Sequence, residues 1–171
     1  SWVSSWEITE PSLRESSKSC VPDNLARRSF DEILRRKLET VIEDFAWDNQ
    51  EAGDLLYYTV TDEVAPSYSC AVPLSMSLER ILSRFGNESD GGNKGCFYRG
   101  ADHVISDINL ILENCLLYNA PDSAIVESAS IIISELKDLV YRASNAYYQE
   151  LNEARKADEE RRKLVMSISN E

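Results

Sequence analysis

The sequence predicts an all-α fold: an antiparallel four-helix bundle with a long apolar loop after the first helix and a Gly-rich insertion after the second. Three observations carry this. Four separate stretches place apolar residues at three- and four-residue intervals, which puts them on one face of a helix. Helix start and stop residues stand at the ends of those stretches. The one segment that could pass for a strand, "YYTV" at 57–60, has no evident partner strand. Four such stripes can bury one another in a single core.

The first helix opens at Ser29, where "SFDE" forms a capping box of Ser29 and Glu32, with Asp23 as an alternative start. Ile33, Leu34, Leu38, Val41, Ile42 and Phe45 follow, and the helix ends near Phe45. Residues 46–74 show no helical period. A loop this long inside a compact domain is usually functional, and its apolar residues must be packed. The second helix spans about Ser75 to Phe85, carries Met76, Leu78, Ile81, Leu82 and Phe85, and stops at Gly86.

The next stretch, "GNESDGGNKGCFYRG", lacks the Gly-Lys-Ser/Thr of a phosphate loop and the alternating oxygen ligands of a calcium loop. The third helix spans about Ala101 to Tyr118, with Val104, Ile105, Ile108, Leu112, Cys115 and Leu116 as its stripe. The fourth opens at Asp122 or Ser123 and carries apolar residues from Ile125 to Ala143. Beyond Tyr148, "ELNEARKADEERRKLV" is charged all round and reads as a solvated helical extension or a frayed end. Leu151 and Leu164 are its only anchors for a coiled coil.

The chain therefore divides into an arm or linker at 1–22, a bundle at 23–148 and a charged helical extension at 149–171. The arm is Ser-rich, and its Trp2 and Trp6 are expected to pack on the domain. Without an initial Met the chain reads as starting at a domain boundary. No apolar run resembles a signal peptide or reaches the ~20 residues that span a bilayer.

Eighteen Lys and Arg against thirty Asp and Glu leave a net charge of −12. Phosphate backbones need clustered cations, so nucleic acid is not expected as a direct ligand. The acidity fits either a basic partner or plain solubility. Cys20, Cys70, Cys96 and Cys115 form no Cys-x-x-Cys pair and His103 is the only His, so neither a zinc site nor a disulfide framework is expected. A reducing intracellular compartment fits best. With His103 expected on the surface, no Gly-x-Ser-x-Gly and no phosphate loop, catalysis is not expected and no cofactor is implied.

One corner asks for a further reason. In "NCLLYNAPDSAIV", Asn114 to Val126, a long apolar helix stops on Tyr118-Asn119, turns through Pro121 and restarts at once. As a bare stop signal, Asn119 would be a helix C-cap in the left-handed conformation.

The segment "YRGADHVISDINLILENCLLYNAPDSAIVESA" resembles the C-terminal half of a bromodomain, in which an Asp-Ile pair, Asn-x-x-x-Tyr-Asn, a short Pro turn and an aliphatic residue follow one another. Here these are Asp107-Ile108, Asn114, Tyr118-Asn119, Pro121 and Ile125-Val126. Upstream, "FAW" at 45–47 resembles the start of the family's Trp-Pro-Phe shelf, and "PSY" at 66–68 its Pro-x-Tyr. "VPLSMSLERIL" resembles the segment that opens the second helix. "SSWEITEP" is similar to the segment preceding the bromodomains of the bromodomain-and-WD-repeat group. The pattern departs at Asp48-Asn49, where the shelf has Pro-Phe. It departs also in the long Trp47–Pro66 interval, in an early Pro73 and in an insertion around Gly91-Gly92.

The resemblance implies a nuclear chromatin reader of acetylated lysine on histone tails or other basic peptides, acting as a monomer without membrane contact. Asn119 would donate an amide N–H to the acetyl carbonyl. Tyr68 would hold a bridging water, or be an ordinary packed loop Tyr. Ile125 would guard the slot, be core, or both. Trp47 would floor the peptide channel or simply pack. Tyr118 would line the slot and support the loop, with Val64 or Val72 as the loop-side wall. Cys115 would line the pocket or belong to the core. Asp48, Asp54, Asp62 and Glu63 would face a basic peptide or only water. The rival reading is a degenerate helical scaffold for protein contacts that has lost acetyl-lysine binding.

Overall fold

A computed structural model describes residues 30–86 and 96–168. Among them are six helices and no strand: α1 (Glu32–Asp48), α2 (Gln50–Leu56), α3 (Tyr68–Ala71), α4 (Leu78–Arg84), α5 (Ala101–Tyr118) and α6 (Ala124–Ile168). The arm with Trp2, Trp6 and Cys20, the alternative start at Asp23, the capping residue Ser29 and the Gly91-Gly92 insertion lie outside the described residues.

The cap of α1 falls on Asp31, whose carboxylate accepts from Ile33 N at 3.0 Å and Leu34 N at 3.1 Å. A carboxylate satisfies two of the helix's unpaired N–H groups and also meets the positive end of its dipole. Leu34, Leu38 and Ile42 point inward, whereas Ile33 is 68% exposed and leaves the expected stripe.

The expected structureless stretch contains two helices. Asn49 explains the first: its N–H closes α1 on Phe45 O at 3.1 Å, and its side chain accepts from Ala52 N at 3.0 Å to open α2. One residue thus ends one helix and caps the next. At seven residues, α2 is too short to register a period. Conversely α4 is shorter than expected, because Ser77 is extended and caps it through Arg80 N at 3.2 Å. Gly86, at φ 86°, ends it as the sequence predicts.

α5 lies along α6, α6 also packs on α1 and α2, and α4 contacts α1 and α5. Residues 119–123 join α5 to α6, so the two run back to back in opposite directions. Leu38, Ile42, Ile81, Ile108 and Leu136 meet in the core, fully enclosed. Burying each such side chain stabilises the fold by about 1.5–3 kcal/mol. On α5 the buried arc runs through Val104, Ile108 and Ile111, and Leu116 is exposed. Three-four spacing from Val104 selects 108 and 111; Leu116, about 120° round from Val104, falls outside that arc.

Two ionic groups, the buried Arg35 and the half-buried Asp107, tie helices together. Arg35 pairs with Glu32 and Glu39 on its own helix and donates to Phe85 O at 3.0 Å, a carbonyl left unpaired at the end of α4. Asp107 of α5 accepts from the buried Tyr98 hydroxyl at 2.9 Å and from Arg84 of α4. The Arg84 guanidinium also lies 4.7 Å over the Phe97 ring.

α6 continues beyond the bundle, and every residue from Tyr148 to Ser167 is exposed. Ion pairs Asp158–Arg162 and Glu159–Lys163, at 2.8 and 3.0 Å, link successive turns there. None of the described helices is long and apolar enough to cross a membrane.

Ser144 of α6 is buried, and its hydroxyl has no partner among the described residues. Ser144→Ala is expected to stabilise the fold by about 0.5–1.5 kcal/mol, by removing a desolvated hydroxyl and adding helix propensity. A higher urea midpoint at unchanged slope checks this; a lower one contradicts it.

Acid should loosen the fold. The Leu34 backbone N–H, followed by Tyr147, lowers the Asp31 pKa, and Arg35, followed by Arg36, lowers that of Glu32 to about 2. Groups lowered in the folded state contribute stability above their unfolded pKa and lose it as pH falls through the folded value. Glu39, raised chiefly by burial, works in the opposite direction and offsets part of the loss. Urea midpoints are expected to fall from pH 4.5 to about 2, less so in Asp31→Asn, which keeps a capping oxygen without the titration.

Candidate functional site

Asn119 stands at the first position after α5 with extended backbone, φ −97° and ψ 156°, not the left-handed cap of the simple stop signal. Its N–H donates to Cys115 O at 3.0 Å, and so does its Nδ2 at 2.9 Å. The carboxamide is therefore locked against its own helix by one of its two amide protons. The second is donated to Cys115 Sγ at 3.6 Å, a weak acceptor that a carbonyl oxygen would outcompete. Asn119 is half-buried, and its amide oxygen accepts no hydrogen bond within the described residues.

Cys115, one turn earlier, is half-buried and packs against the core. Burial raises its thiol pKa, which keeps it neutral and unreactive.

Two side chains of α5 grip the loop between α2 and α4. The Tyr118 hydroxyl donates to Pro66 O at 3.1 Å, and Asn114 Nδ2 donates to Leu74 O at 2.9 Å. The donors sit one helical turn apart, and the nine residues from 66 to 74 are held at both ends. Within that arc Tyr68 is 6% exposed and packs edge-on against the Tyr118 ring at 5.2 Å. The Tyr68 hydroxyl makes no hydrogen bond within the described residues, and burial, then the Cys115 thiol, raise its pKa. Val72 is also buried in the arc and lines a recess of about 240 Å³ with Tyr68 and Pro73.

The arc carries its own fixtures. Asp62 accepts from Ser69 N at 2.7 Å and Ser69 Oγ at 2.6 Å, which lowers its pKa. Asp62 is thus fastened to the loop. Ser67 adopts φ 63°, a left-handed conformation that costs a non-Gly residue about 1–2 kcal/mol. The two clamps hold it there.

The structure gathers Asn119, Cys115, Tyr118 and Tyr68 into one corner. Ile125, 46% exposed, lines a groove beside α2 and is not core. Trp47 and Val64 are each 81% exposed, so Trp47 is not packed as its plain reading had it, and neither is held against the corner. His103 is exposed, as expected. Among the described residues no cluster of His, Cys, Asp and Glu is placed to hold a metal.

Asn114 was placed in the motif, but its clamping role was not anticipated. Its signal was available: a carboxamide on the buried arc of an apolar helix must find a hydrogen-bond partner, and a loop carbonyl is the nearest kind. The Tyr98–Asp107–Arg84 link was missed because its members come from three separate segments.

Comparison with known proteins agrees with this geometry. The Bromodomain family model matches residues 38–131, more than half of the chain, including the corner and both clamps. The chain is 23% identical over 114 residues to a bromodomain and WD repeat-containing protein of Dictyostelium discoideum. The matched stretch is 67% of this chain but only 5% of that protein's length. The chain belongs to the bromodomain family, whose members are acetyl-lysine reader modules and not enzymes.

Proposed function

We propose that this domain binds acetylated lysine on protein tails, histone tails foremost, at the Asn119 corner. The observation that carries the reading is the locked carboxamide of Asn119 in the same corner as the buried Tyr68, whose hydroxyl makes no hydrogen bond within the described residues. An acetylated lysine is a neutral amide on an apolar stem. Asn119 supplies an N–H to its carbonyl, and Tyr68 holds a bridging water. Cys115, Tyr118 and Val72 line the apolar slot, with Ile125 at its mouth and the exposed Trp47 and Val64 as outer contacts. An unmodified lysine would bring a strongly hydrated ammonium into this slot at a cost of several kcal/mol. The chemistry suits a monomeric chromatin module in the nucleus, with no direct nucleic-acid contact.

The open Trp47 favours one other reading, a scaffold that no longer binds acetyl-lysine. Titration with acetylated and unmodified histone peptides separates the two. The acetylated form should bind at roughly tens to hundreds of micromolar, because one small slot buries little area. Asn119→Ala should abolish this, while the backbone N–H of residue 119 still caps α5 on Cys115 O. Equal affinity in that variant rejects the site.

The clamps generate a separate expectation. Tyr118→Phe keeps the ring contact with Tyr68 but removes the bond to Pro66 O, and should weaken the acetylated peptide roughly threefold to tenfold. Asn114→Ala leaves Leu74 O unpaired and should lower stability by about 1–3 kcal/mol. Calorimetric titration and urea denaturation read the two effects apart.

A further inference from the structure

Two grooves that share Gln50 run side by side along the junction of α1, α2 and α6. One, of about 570 Å³, is lined by Glu51, Asp54, Leu55 and Ile125 among others. The other, of about 510 Å³, is lined by Val41, Asp44, Phe45, Asp48 and Leu139 among others. Both therefore have aliphatic or aromatic walls edged by carboxylates, and neither lining contains a Lys or Arg.

The carboxylates are free. Within the described residues, Asp44, Asp48, Glu51 and Asp54 take part in none of the ion pairs, which engage Glu32, Glu39, Asp107, Glu150, Asp158 and Glu159 instead. Nor does stability account for Asp44 and Asp48. Asp44 and Asp48 are like charges four residues apart in the last turns of α1, which has no basic residue there. Both the repulsion and the negative end of the helix dipole disfavour that placement. A cationic occupant would relieve both.

We propose that this trench binds the Lys- or Arg-rich flank of an acetylated peptide whose acetyl-lysine occupies the Asn119 corner. The inference rests on the reading above for its register. Lys and Arg lay their methylene stems on apolar walls and keep the charged head at the rim, which is the lining found here. The trench begins at Ile125, six residues beyond Asn119, and ends at Leu139. Fourteen helical residues separate those two, about 21 Å at 1.5 Å each. An extended chain covers that length in roughly six or seven residues. Cations three to seven residues from the acetyl-lysine, on one side of it, therefore fall within the trench.

The test compares two acetyl-lysine peptides, one with a neutral flank and one with Lys and Arg at those positions, built in both chain directions. The probes are titrated into the wild type and into Asp44→Asn/Asp48→Asn/Glu51→Gln/Asp54→Asn, at low and high salt. Amide replacements keep side-chain volume, and the relieved Asp44–Asp48 repulsion offsets the lost first-turn charge of Glu51, so the variant should fold as the wild type does. The wild type is expected to bind the basic peptide about tenfold more tightly than the neutral one at low salt, an advantage that high salt shrinks. The variant should bind both about equally. No preference in the wild type, or full preference in the variant, overturns the trench. The basic peptide without an acetyl group is also titrated into Asn119→Ala and followed by amide NMR. Shifts along 41–54 and 125–139 support the trench; their absence rejects it. Loss of discrimination between acetylated and unmodified neutral peptides rejects the corner instead, so the two failures are told apart.

Discussion

Two hydrogen bonds from one helix, Tyr118 to Pro66 O and Asn114 to Leu74 O, hold the loop that makes the site possible. Without them, residues 66–74 would be a surface segment free to open, and Tyr68 and Val72 would not stay buried. With them, the loop closes against the same turn of α5 that ends in Asn119. The loop wall and the amide donor are therefore fixed relative to one another by a single rigid element. That is the condition for a small slot to select its ligand: a donor misplaced by an ångström forms no useful bond, and a loosely held wall admits water.

The other buried polar groups follow the same logic at larger scale. Arg35 closes the end of α4 from α1, and Asp107 ties α5 to Arg84 and Tyr98. Each joins elements far apart in the chain through one charged side chain. Such groups contribute little net energy, since desolvation offsets the attraction. Their value lies in register. Apolar stripes slide past one another at small cost, whereas a guanidinium that must reach one particular carbonyl does not.

Charge divides the molecule's surface by function. Acidic residues that pair with neighbours, such as Glu32, Asp62 and Asp107, hold structure together. Those along the α1–α2–α6 trench are left without partners beside a half-buried apolar lining. A net charge of −12 is then not one property. Part of it is internal fastening, and part is a field facing outward, able to gather a basic chain toward the corner where the acetyl group would be read.

Much of this was legible in the sequence because it depends on local rules. Helical period located the bundle; the Gly86 stop and the limits of α5 agree with the structure. Asn114, Tyr118 and Asn119 marked the corner through their resemblance to the bromodomain pattern. What lay beyond the sequence is what arises only when distant segments meet. Helix α2 went unseen because its cap, Asn49, also closes α1 and its apolar residues fill less than two turns. The exposure of Trp47 and Ile125 depends on which neighbours arrive to cover them, which periodicity along one helix does not encode. The carbonyls of Pro66 and Leu74 carry no side-chain signature at all, so their pairing with Tyr118 and Asn114 was decided by the fold alone. Local chemistry supplied the donors; tertiary structure chose what they hold.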